Sequence, residues 1–508
     1  MNSNAYRSSI SELGGGRIAI LLLLFAIALY QFYSAGFGAF ATICALPLLV
    51  IVIVTAFKYR MLLFWTLVFV NYLVSMKAIP SIPGIPLSLY NEVLEILLLM
   101  MAIIDAKEAN FKCAANFMTV LVGIWCTFLV FELLNNTCGM MLDFPNWYPE
   151  ARRIGIQIIY AVLVFTIYIN TPQRIQNYLS LWGGLALFSV IWIWKQKYIG
   201  LTSSENAFLQ GPAGKQHVLQ NGALIRYFSI YSDAAAAGIG IASTAVAFII
   251  FGITSKIKRY KYIFLTIGFA CAWGMFPTGT RTAIVCFIAG FAVYAVTSKS
   301  VRMTVITGVA TVLLFVFLAF TNIGNGNQMI RRMRSTFSKS DESAAVRDVN
   351  KEAMSKYMKD APFGVGVGVG TNVVPINNKY HAMLSIPPDS EYVSIWRQTG
   401  AVGITIFICT TVLMFLGAIR IIMFKLTSSS LRGIGAGLAS GFVAMQLGGY
   451  ANQVLMQFPN CVTFYGGLSL VYVLPFIEKE WIEYENGLLA LQLERERIKE
   501  EKKRASRV

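Results

Sequence analysis

Repeated apolar runs of about twenty residues constrain this chain more than any other feature of its sequence. A run of that length is long enough for a helix to cross a bilayer. Of the 508 residues, 56% are hydrophobic and 13% are charged, whereas a soluble globular domain carries about 25% charged residues. The runs are continuous rather than alternating, which favours helices. The sequence therefore predicts an all-α polytopic membrane protein.

The apolar runs predict about 14 transmembrane helices, followed by a charged tail. Their ranges are 18–33, 39–57, 61–75, 87–105, 113–134, 153–170, 177–195, 230–254, 262–276, 281–297, 302–321, 396–423, 431–448 and 457–477. The chain then divides into helices 1–11 (1–321), one large polar loop (322–395), helices 12–14 (396–477) and a charged helical tail (478–508). The first run has no small-residue cleavage site after it, so we expect it to be retained.

The distribution of basic residues predicts the orientation. With the N-terminus in the cytoplasm, every strongly basic short loop falls on the cytoplasmic side, as the positive-inside rule requires. The formal charge of +17 is thereby assigned largely to topological anchors, and no nucleic-acid partner is expected. Both termini are predicted to be cytoplasmic, and the large loop to be external, between helices 11 and 12.

The large loop combines clustered charges with a glycine run. It opens with Arg331, Arg332 and Arg334, and it later contains the run Gly364-Val-Gly-Val-Gly-Val-Gly370. No Lys-Ser/Thr pair follows the glycines, which disfavours a nucleotide-binding loop. A loop of this length is usually functional or disordered. We expect it to form a lid and part of the floor of an active site, with the glycine run as a wall.

Two arginines stand in polar turns at predicted outer helix ends. Arg226 begins the segment that ends at Asp233 and leads into a run of alanines and glycines, which we expect deep in the bundle because small residues permit close helix approach. Arg281 lies in the turn 277–282. Such arginines either snorkel to lipid headgroups or form an anion site. Guanidinium groups suit phosphate, and the turn amides around Gly279 and Thr280 would add donors.

The sequence gives little sign of metal or redox chemistry. The chain has two histidines, His217 and His381, and no paired-aspartate motif, so no metal site and no cofactor are predicted. Most of the eight cysteines lie in or beside apolar runs, where cysteine serves as a small hydrophobe. A disulfide between Cys138 and Cys461 is left open, because their distance is not fixed by the sequence.

The polar elements, taken in order, resemble the bacterial O-antigen ligase and O-antigen polymerase superfamily of membrane glycosyltransferases. The resemblance spans about residues 87–403. It rests on Glu132-Leu-Leu-Asn135, Arg226, Thr280-Arg281, Arg347, Pro362-Phe-Gly-Val-Gly-Val-Gly and Thr399-Gly-Ala-Val-Gly403. It implies a GT-C-like helical fold in the bacterial inner membrane.

The resemblance also implies roles for individual residues. Arg226, Arg281 and Arg347 would bind the diphosphate of a polyprenyl-linked glycan, and Glu132 and Asp233 would contribute further substrate contacts. The family's last block usually begins with His-Asn eleven residues before its first glycine, and this chain has Asp389-Ser390 there. The catalytic base is therefore left open among three residues, namely Asp389, His381 and Glu391.

The expected function is inverting, metal-independent glycosyl transfer to a sugar hydroxyl at the outer face of the membrane. The acceptor would be a second lipid-linked repeat, for a polymerase, or a lipid A-type core or other acceptor, for a ligase. Membrane lipids and a chain-length regulator are the other expected partners. The alternative is a transporter or flippase of lipid-linked glycans, although such proteins commonly show internal repeats and none is evident here.

Overall fold

A computed structural model describes residues 58–79, 88–106, 111–139, 143–220, 224–326, 330–331, 334 and 342–505. The chain divides into two compact units, 1–65 and 66–508, and the contacts described below lie within the second. The predicted spans 18–33 and 39–57, together with Arg332, lie outside the described residues.

The regular secondary structure of the described residues is helical apart from one pair of two-residue strands. The helices are α1 Arg60–Leu73, α2 Ser88–Ile104, α3 Phe111–Ala114, α4 Phe117–Phe131, α5 Phe144–Tyr168, α6 Pro172–Tyr198, α7 Ser203–Gln210, α8 Pro212–His217, α9 Ala234–Thr254, α10 Lys258–Gly274, α11 Arg281–Thr297, α12 Val301–Phe320, α13 Glu342–Met358, α14 His381–Leu384, α15 Glu391–Arg420, α16 Ser429–Ala451 and α17 Asn460–Ala505. The antiparallel strands are β1 Leu219–Gln220 and β2 Leu224–Ile225. The prediction of an all-α chain is confirmed in this sense.

Each predicted span within the described residues overlaps a helix. Within the described part of the chain, six helices are long and apolar enough to cross a membrane: Phe117–Leu134, Phe144–Tyr168, Pro172–Tyr198, Ala234–Thr254, Glu391–Lys425 and Asn460–Ala505. Three shorter apolar helices, α1, α11 and most of α12, accompany them. The total of fourteen spans and the external position of the large loop stay predictions.

Helix α9 is the centre of the bundle, as its small residues predicted. It packs against α10, α11 and α16, and every residue from Ala234 to Gly252 is buried. Gly238 shows why small residues are needed, because an added Cβ would lie 2.5 Å from the Thr278 hydroxyl and 2.6 Å from Thr280 Cβ. The turn before α11 thus lies directly against the N-terminal part of α9.

The second half of the large loop is a folded unit with its own apolar core. Helices α13 and α14 enclose buried side chains that include Met354, Met358, Val365, Tyr380 and Met383. Helix α15 begins at Glu391, before the predicted span start at 396, and it is kinked at Gly400, where φ is 66° and ψ is −166°. The residues before this kink form a short helical segment, 391–399, which carries several of the predicted site residues.

The last apolar run and the charged tail are one unbroken helix, α17. The tail is fixed to the loop before α10 by Lys256 Nζ, which lies 2.8 Å from a Glu485 carboxylate oxygen, and by Lys258 Nζ, 3.0 Å from Glu496. This charged part of the protein is remote in sequence from the predicted site residues and is not needed for the site described next.

Candidate active site

Arg226 is held in one orientation by three oxygen acceptors. Its Nε donates to the Thr278 carbonyl at 3.3 Å, one terminal nitrogen donates to the His217 carbonyl at 3.3 Å, and the other donates to the Thr280 hydroxyl at 3.0 Å. The Thr280 hydroxyl in turn donates to the Ala234 carbonyl at 2.7 Å. The guanidinium is therefore preorganised by the turn before α11 and by the start of α9.

Three cations and one carboxylate interact at this place. The charges of Asp233 and Arg281 both act on Arg226, and the charge of Asp233 also acts on Lys77. Burial lowers the pKa of both Arg226 and Lys77, as expected for cations taken out of water. The Lys77 ammonium lies 4.9 Å from the centre of the Phe208 ring. The structure thus brings Arg226, Asp233 and Arg281 together and adds a lysine to them.

Asp233 also has a structural role. It is the N-cap of α9, and its Oδ1 accepts hydrogen bonds from the amides of Ala235 and Ala236 at 2.7 and 2.9 Å. Capping of this kind stabilises a helix start and places the carboxylate at the positive end of the helix dipole. The position predicted for a substrate contact therefore fixes the geometry of the segment between Arg226 and α9.

The amides of the turn before α11 are used within the turn. Gly279 has φ of 60°, its amide donates to the Phe276 carbonyl at 3.0 Å, and the Thr280 amide donates to the Thr278 hydroxyl at 3.3 Å. The expectation that these two amides would serve as anion donors is not supported. The turn instead contains Arg281, and its residues Thr278 and Thr280 orient Arg226.

A second part of the site is a cleft of about 390 Å³ beside the end of α16. Its other side is formed by the start of α15 and by the folded second half of the large loop, residues 342–390, here called the loop domain. Asp389 and Arg347 both line it, and the Asn350 amide donates to Asp389 Oδ2 at 2.9 Å. The other lining residues are Asp348, Asn350, Lys351, Pro387, Ser390, Tyr392, Val393, Trp396, Ile404, Tyr450 and Ala451. Three aromatic rings, those of Tyr392, Trp396 and Tyr450, thus accompany two carboxylates and two cations, a mixture suited to a sugar beside an anion.

The segment after α16 links the cleft to the cation cluster. Tyr450 and Ala451 line the cleft, and the next residue, Asn452, donates to the Thr282 hydroxyl at 3.4 Å. Further along, Gln453 donates to the Pro388 carbonyl and Ser232 donates to Gln457. The stretch 450–457 therefore contacts both the residues beside Asp389 and those beside Asp233 and Arg281.

His381 and Glu391, the other two candidates for the base, lie elsewhere. His381 Nδ1 is 2.9 Å from the Val374 carbonyl oxygen inside the loop domain. Glu391 has no exposed surface, and its Oε1 accepts from Arg153 at 2.7 Å. Neither residue lines the cleft that contains Asp389. Of the three, Asp389 is the one that lines the same cleft as Arg347 and the three aromatic side chains.

Glu132 contributes to holding the loop domain. It is buried, and its Oε2 accepts from the Asn135 amide at 2.8 Å; the same amide donates to the Phe363 carbonyl at 2.9 Å. The resemblance treated Glu132 as a substrate contact. The structure places its side chain one step behind the glycine run, where it orients Asn135, and the substrate contact stays a prediction.

The glycine run is a tightly turned segment, and its conformation requires glycine. Gly364, Gly366 and Gly368 have φ of 77°, 107° and 82°, alternating with valines, of which Val365 and Val367 are buried. An added Cβ on Gly368 would lie 2.2 Å from the Asn146 carbonyl oxygen. Left-handed residues of this kind are accessible to glycine at little cost, so the run can turn tightly against α5 and α15.

A buried ion network supports the short helical segment 391–399. Arg153 donates to both oxygens of Glu150, at 2.7 and 3.0 Å, as well as to Glu391. Gln398 donates to Glu150 at 2.7 Å. Buried charges need paired partners to offset the loss of hydration. Arg153, Lys77 and the glutamines at 453 and 457 were not singled out from the sequence, since each acquires its place only through long-range contacts.

The described part of the chain contains no group of three or more His, Cys, Asp or Glu residues that could hold a metal ion. The cysteines at 138 and 461 are both free and buried, so the disulfide left open by the sequence does not form between them in this structure. The polar chemistry available at the site comes from arginine, lysine, carboxylate, amide and aromatic side chains.

The fold and site together define a multi-pass helical membrane protein with a cluster of cations beside a folded polar segment. Residues 265–408 match the family model described as O-antigen ligase, and this match supports an assignment to the superfamily of O-antigen ligases and polymerases. The match begins in α10 and ends in α15, so it includes Arg281, Arg347 and Asp389 and leaves Arg226 and Asp233 outside. No curated protein matches the chain.

This match confirms the resemblance found in the sequence. It indicates an enzyme of the O-antigen ligase or polymerase type, acting on lipid-linked glycans in a membrane. Ligases and polymerases are not distinguished by the match.

Proposed function

We propose that the protein transfers a glycan from a polyprenyl-diphosphate carrier to a sugar hydroxyl at the outer face of the bacterial inner membrane. The observation that carries the proposal is the preorganised Arg226 beside Arg281, in a chain whose residues 265–408 match O-antigen ligases. A diphosphate leaving group needs fixed positive charge of this kind, because it gains negative charge as the glycosidic bond breaks.

The diphosphate would lie against Arg226 and Arg281. Arginine stays protonated and forms charge-assisted, bidentate hydrogen bonds to phosphate oxygens. The Arg226 side chain is already oriented by Thr278 and Thr280, so little side-chain entropy would be lost on binding. Arg347, at the Asp389 cleft, is the third proposed ligand, positioned to contact the phosphate nearest the reacting sugar.

Asp389 is the proposed general base. The acceptor hydroxyl oxygen attacks C1 of the donor's first sugar, the C1–O bond to the diphosphate breaks, and its electron pair leaves with the polyprenyl diphosphate. The hydroxyl proton passes to the Asp389 carboxylate and then to solvent. A single displacement inverts C1. Asn350 holds Oδ2 of this carboxylate at 2.9 Å, which orients it toward the cleft, and charge on arginine takes the part that a metal ion has in other glycosyl transfers.

The orientation of the protein follows from its basic loops. The positive-inside rule puts both termini in the cytoplasm and the loop domain outside, where polyprenyl-linked glycans would reach it by lateral diffusion. The acceptor is a second lipid-linked repeat if the enzyme is a polymerase, or a lipid A-type core if it is a ligase. A chain-length regulator is a proposed partner in the first case.

The test is transfer by purified full-length protein. Protein in detergent is mixed with a polyprenyl-diphosphate-linked glycan and an acceptor, and products are separated by size and analysed by mass spectrometry. We expect a new glycosidic bond, with release of polyprenyl diphosphate in equal amount. The same protein is also reconstituted into proteoliposomes. Movement of intact donor across their membrane, without any transfer product, would overturn the proposal in favour of a flippase.

A further inference from the structure

The helical segment 391–399 lies between the Asp389 cleft and a second cleft. It has a volume of about 360 Å³ and is lined by Pro145, Asn146, Pro149, Glu150, Gly368, Val369, Gly370, Arg397 and Gln398. Tyr392, Val393 and Trp396 line the Asp389 cleft, and each step along a helix rotates the side chain by about 100°. One short helical segment therefore forms a wall of both clefts.

The polar groups of this second cleft are held in place before any ligand binds. Gln398 donates to Glu150 at 2.7 Å, and its own amide oxygen accepts from the Gly368 backbone at 3.4 Å. Glu150 is fixed by two hydrogen bonds from Arg153. Such planar amide and carboxylate groups, oriented in advance, lose little entropy when they bind a ligand.

Arg397 supplies an unused donor. Its Nε is buried and has no hydrogen-bond partner among the described residues, although the charge of Glu150 acts on it. A buried polar nitrogen without a partner is costly. Because this nitrogen is buried, a ligand oxygen would accept from it only after the guanidinium turns toward the cleft, and that bond would remove the cost.

The charge of this cleft separates it from the cation cluster. The charged residues that line it are one carboxylate, Glu150, and one cation, Arg397, and Arg153 pairs with Glu150 and Glu391. Around Arg226, three cations interact with one carboxylate. The second cleft therefore has no excess charge to attract a diphosphate. Its amide, guanidinium, carboxylate and peptide groups match the hydroxyl groups of a sugar, each of which both donates and accepts.

We propose that this second cleft binds sugar residues of the glycan that are remote from the reacting bond. The inference rests on the proposed function. The reacting end of the glycan would lie in the Asp389 cleft, and the rest of the glycan would pass segment 391–399 to reach the second cleft. It assigns saccharide contacts to Asn146, Arg397 and the backbone of 368–370. A glycan of several units would occupy both clefts, whereas a single repeat would occupy one.

The test is binding of oligosaccharides released by mild acid from the producing strain's own surface glycan. Saturation-transfer NMR and calorimetry are applied to full-length protein in detergent, with fragments of one and of several repeats. Asn146→Trp places a large ring in the cleft, and Arg397→Gln removes the charge while keeping an amide. The matched control is Asn206→Trp, on exposed residue 206 of α7.

We expect the wild type to bind the longer fragment, and Asn146→Trp to weaken that binding at least tenfold. Arg397→Gln should weaken it in the same direction, and the Asn206→Trp control should bind as the wild type does. Absence of binding to the wild type, or equal affinities for the wild type and Asn146→Trp, would overturn the inference. Transfer by the wild-type protein is measured in parallel. Transfer without cleft binding refutes this inference alone, whereas absence of transfer refutes the proposed function.

Discussion

Gly364 and Gly400 meet through their backbones. A Cβ on Gly400 would lie 2.3 Å from the Gly364 amide nitrogen, and a Cβ on Gly364 would lie 2.5 Å from the Gly400 amide nitrogen. Both residues have positive φ, 77° and 66°. The contact joins the glycine run to the kink of α15, and backbone hydrogen bonds from Val365 and Gly366 to the carbonyls of residues 397 and 398, each 3.0 Å, extend it.

Replacement of Gly400 by alanine is expected to destabilise the protein by at least about 2 kcal/mol. A non-glycine residue in this backbone region is strained by about 1–3 kcal/mol, and the new Cβ would lie 2.1 Å from the Pro362 carbonyl oxygen. Thermal unfolding in detergent measures the loss. The matched control is Gly123→Ala in α4, where an added Cβ meets nothing within 4 Å and alanine favours the helix. Equal melting temperatures for the two variants would refute the contact.

Replacement of only one partner of the Arg153–Glu391 ion pair is expected to lower the stability of the protein strongly. Arg153→Met leaves Glu391, which has no exposed surface, without its cation, at a cost of about 3–5 kcal/mol. The double variant Arg153→Met/Glu391→Met should lose less than Arg153→Met, because no unpaired carboxylate stays at position 391. Unfolding measurements on the single and double variants test this coupling.

The exposed pair Lys379–Asp360 is the control for the buried one. Both of its side chains are more than half exposed, so Lys379→Ala should leave the melting temperature unchanged. A double variant at 153 and 391 that is as unstable as Arg153→Met, or a Lys379→Ala variant that is equally unstable, would contradict a buried network supporting segment 391–399.

Glu205 is expected to make stability depend on pH. Its carboxylate accepts hydrogen bonds from the Thr202 amide at 2.7 Å and from the Gln196 and Trp192 side chains, each at 2.8 Å. Burial would raise the pKa of Glu205, but these hydrogen bonds outweigh burial, and the pKa lies below its ordinary value. A carboxyl with a lowered folded-state pKa stabilises the fold above its unfolded pKa, and this contribution is lost as the pH falls through the folded pKa.

Glu205→Gln should therefore lower the melting temperature at pH 7, by an amount corresponding to roughly 1–3 kcal/mol for lost charge-assisted bonds. The difference from the wild type should shrink in acid. Gln196, which Glu205 orients, also accepts from the Ser229 amide at 2.9 Å, so the segment after Arg226 is affected too. Glu352→Gln, at an exposed position, is the control. A difference that persists unchanged at acidic pH would contradict this role.

The choice of base is tested by Asp389→Asn and His381→Ala. Loss of a general base typically slows a reaction by about 10²–10⁴-fold, and only Asp389 of the two lines the cleft with Arg347. We expect Asp389→Asn to lower the transfer rate of purified protein at least about 100-fold and His381→Ala to lower it much less. Membrane expression and melting temperature are measured for both. The reverse order would assign the base to His381.

Local sequence patterns predicted most helices because hydrophobic periodicity and run length are local properties. The span predicted at 281–297 coincides with α11, and the span predicted at 302–321 differs from α12 by one residue at each end. Arg226 and Arg281 were also found locally, as arginines in polar turns at the ends of apolar runs.

The rest of the site depends on contacts that no local pattern contains. Arg153 and Glu391 are far apart in sequence, and nothing near either residue specifies the other. The large loop was expected as a lid, and its folded core formed by α13 and α14 was not foreseen, because its apolar residues are sparse and interrupted by turns. Lys77 joins the cation cluster only because α9 brings Asp233 close to it.

The most direct test of the proposed function is the rate of glycan transfer by purified Arg281→Ala protein. Removal of one preorganised charge from a leaving-group site costs about 10²–10³-fold in rate, and we expect a loss of this size. Arg281→Lys should recover part of the rate, since lysine restores charge without the bidentate geometry. Arg302→Ala, at the exposed start of α12, should transfer at the wild-type rate. Full activity of Arg281→Ala, with expression and melting temperature unchanged, would contradict a diphosphate site at Arg226 and Arg281.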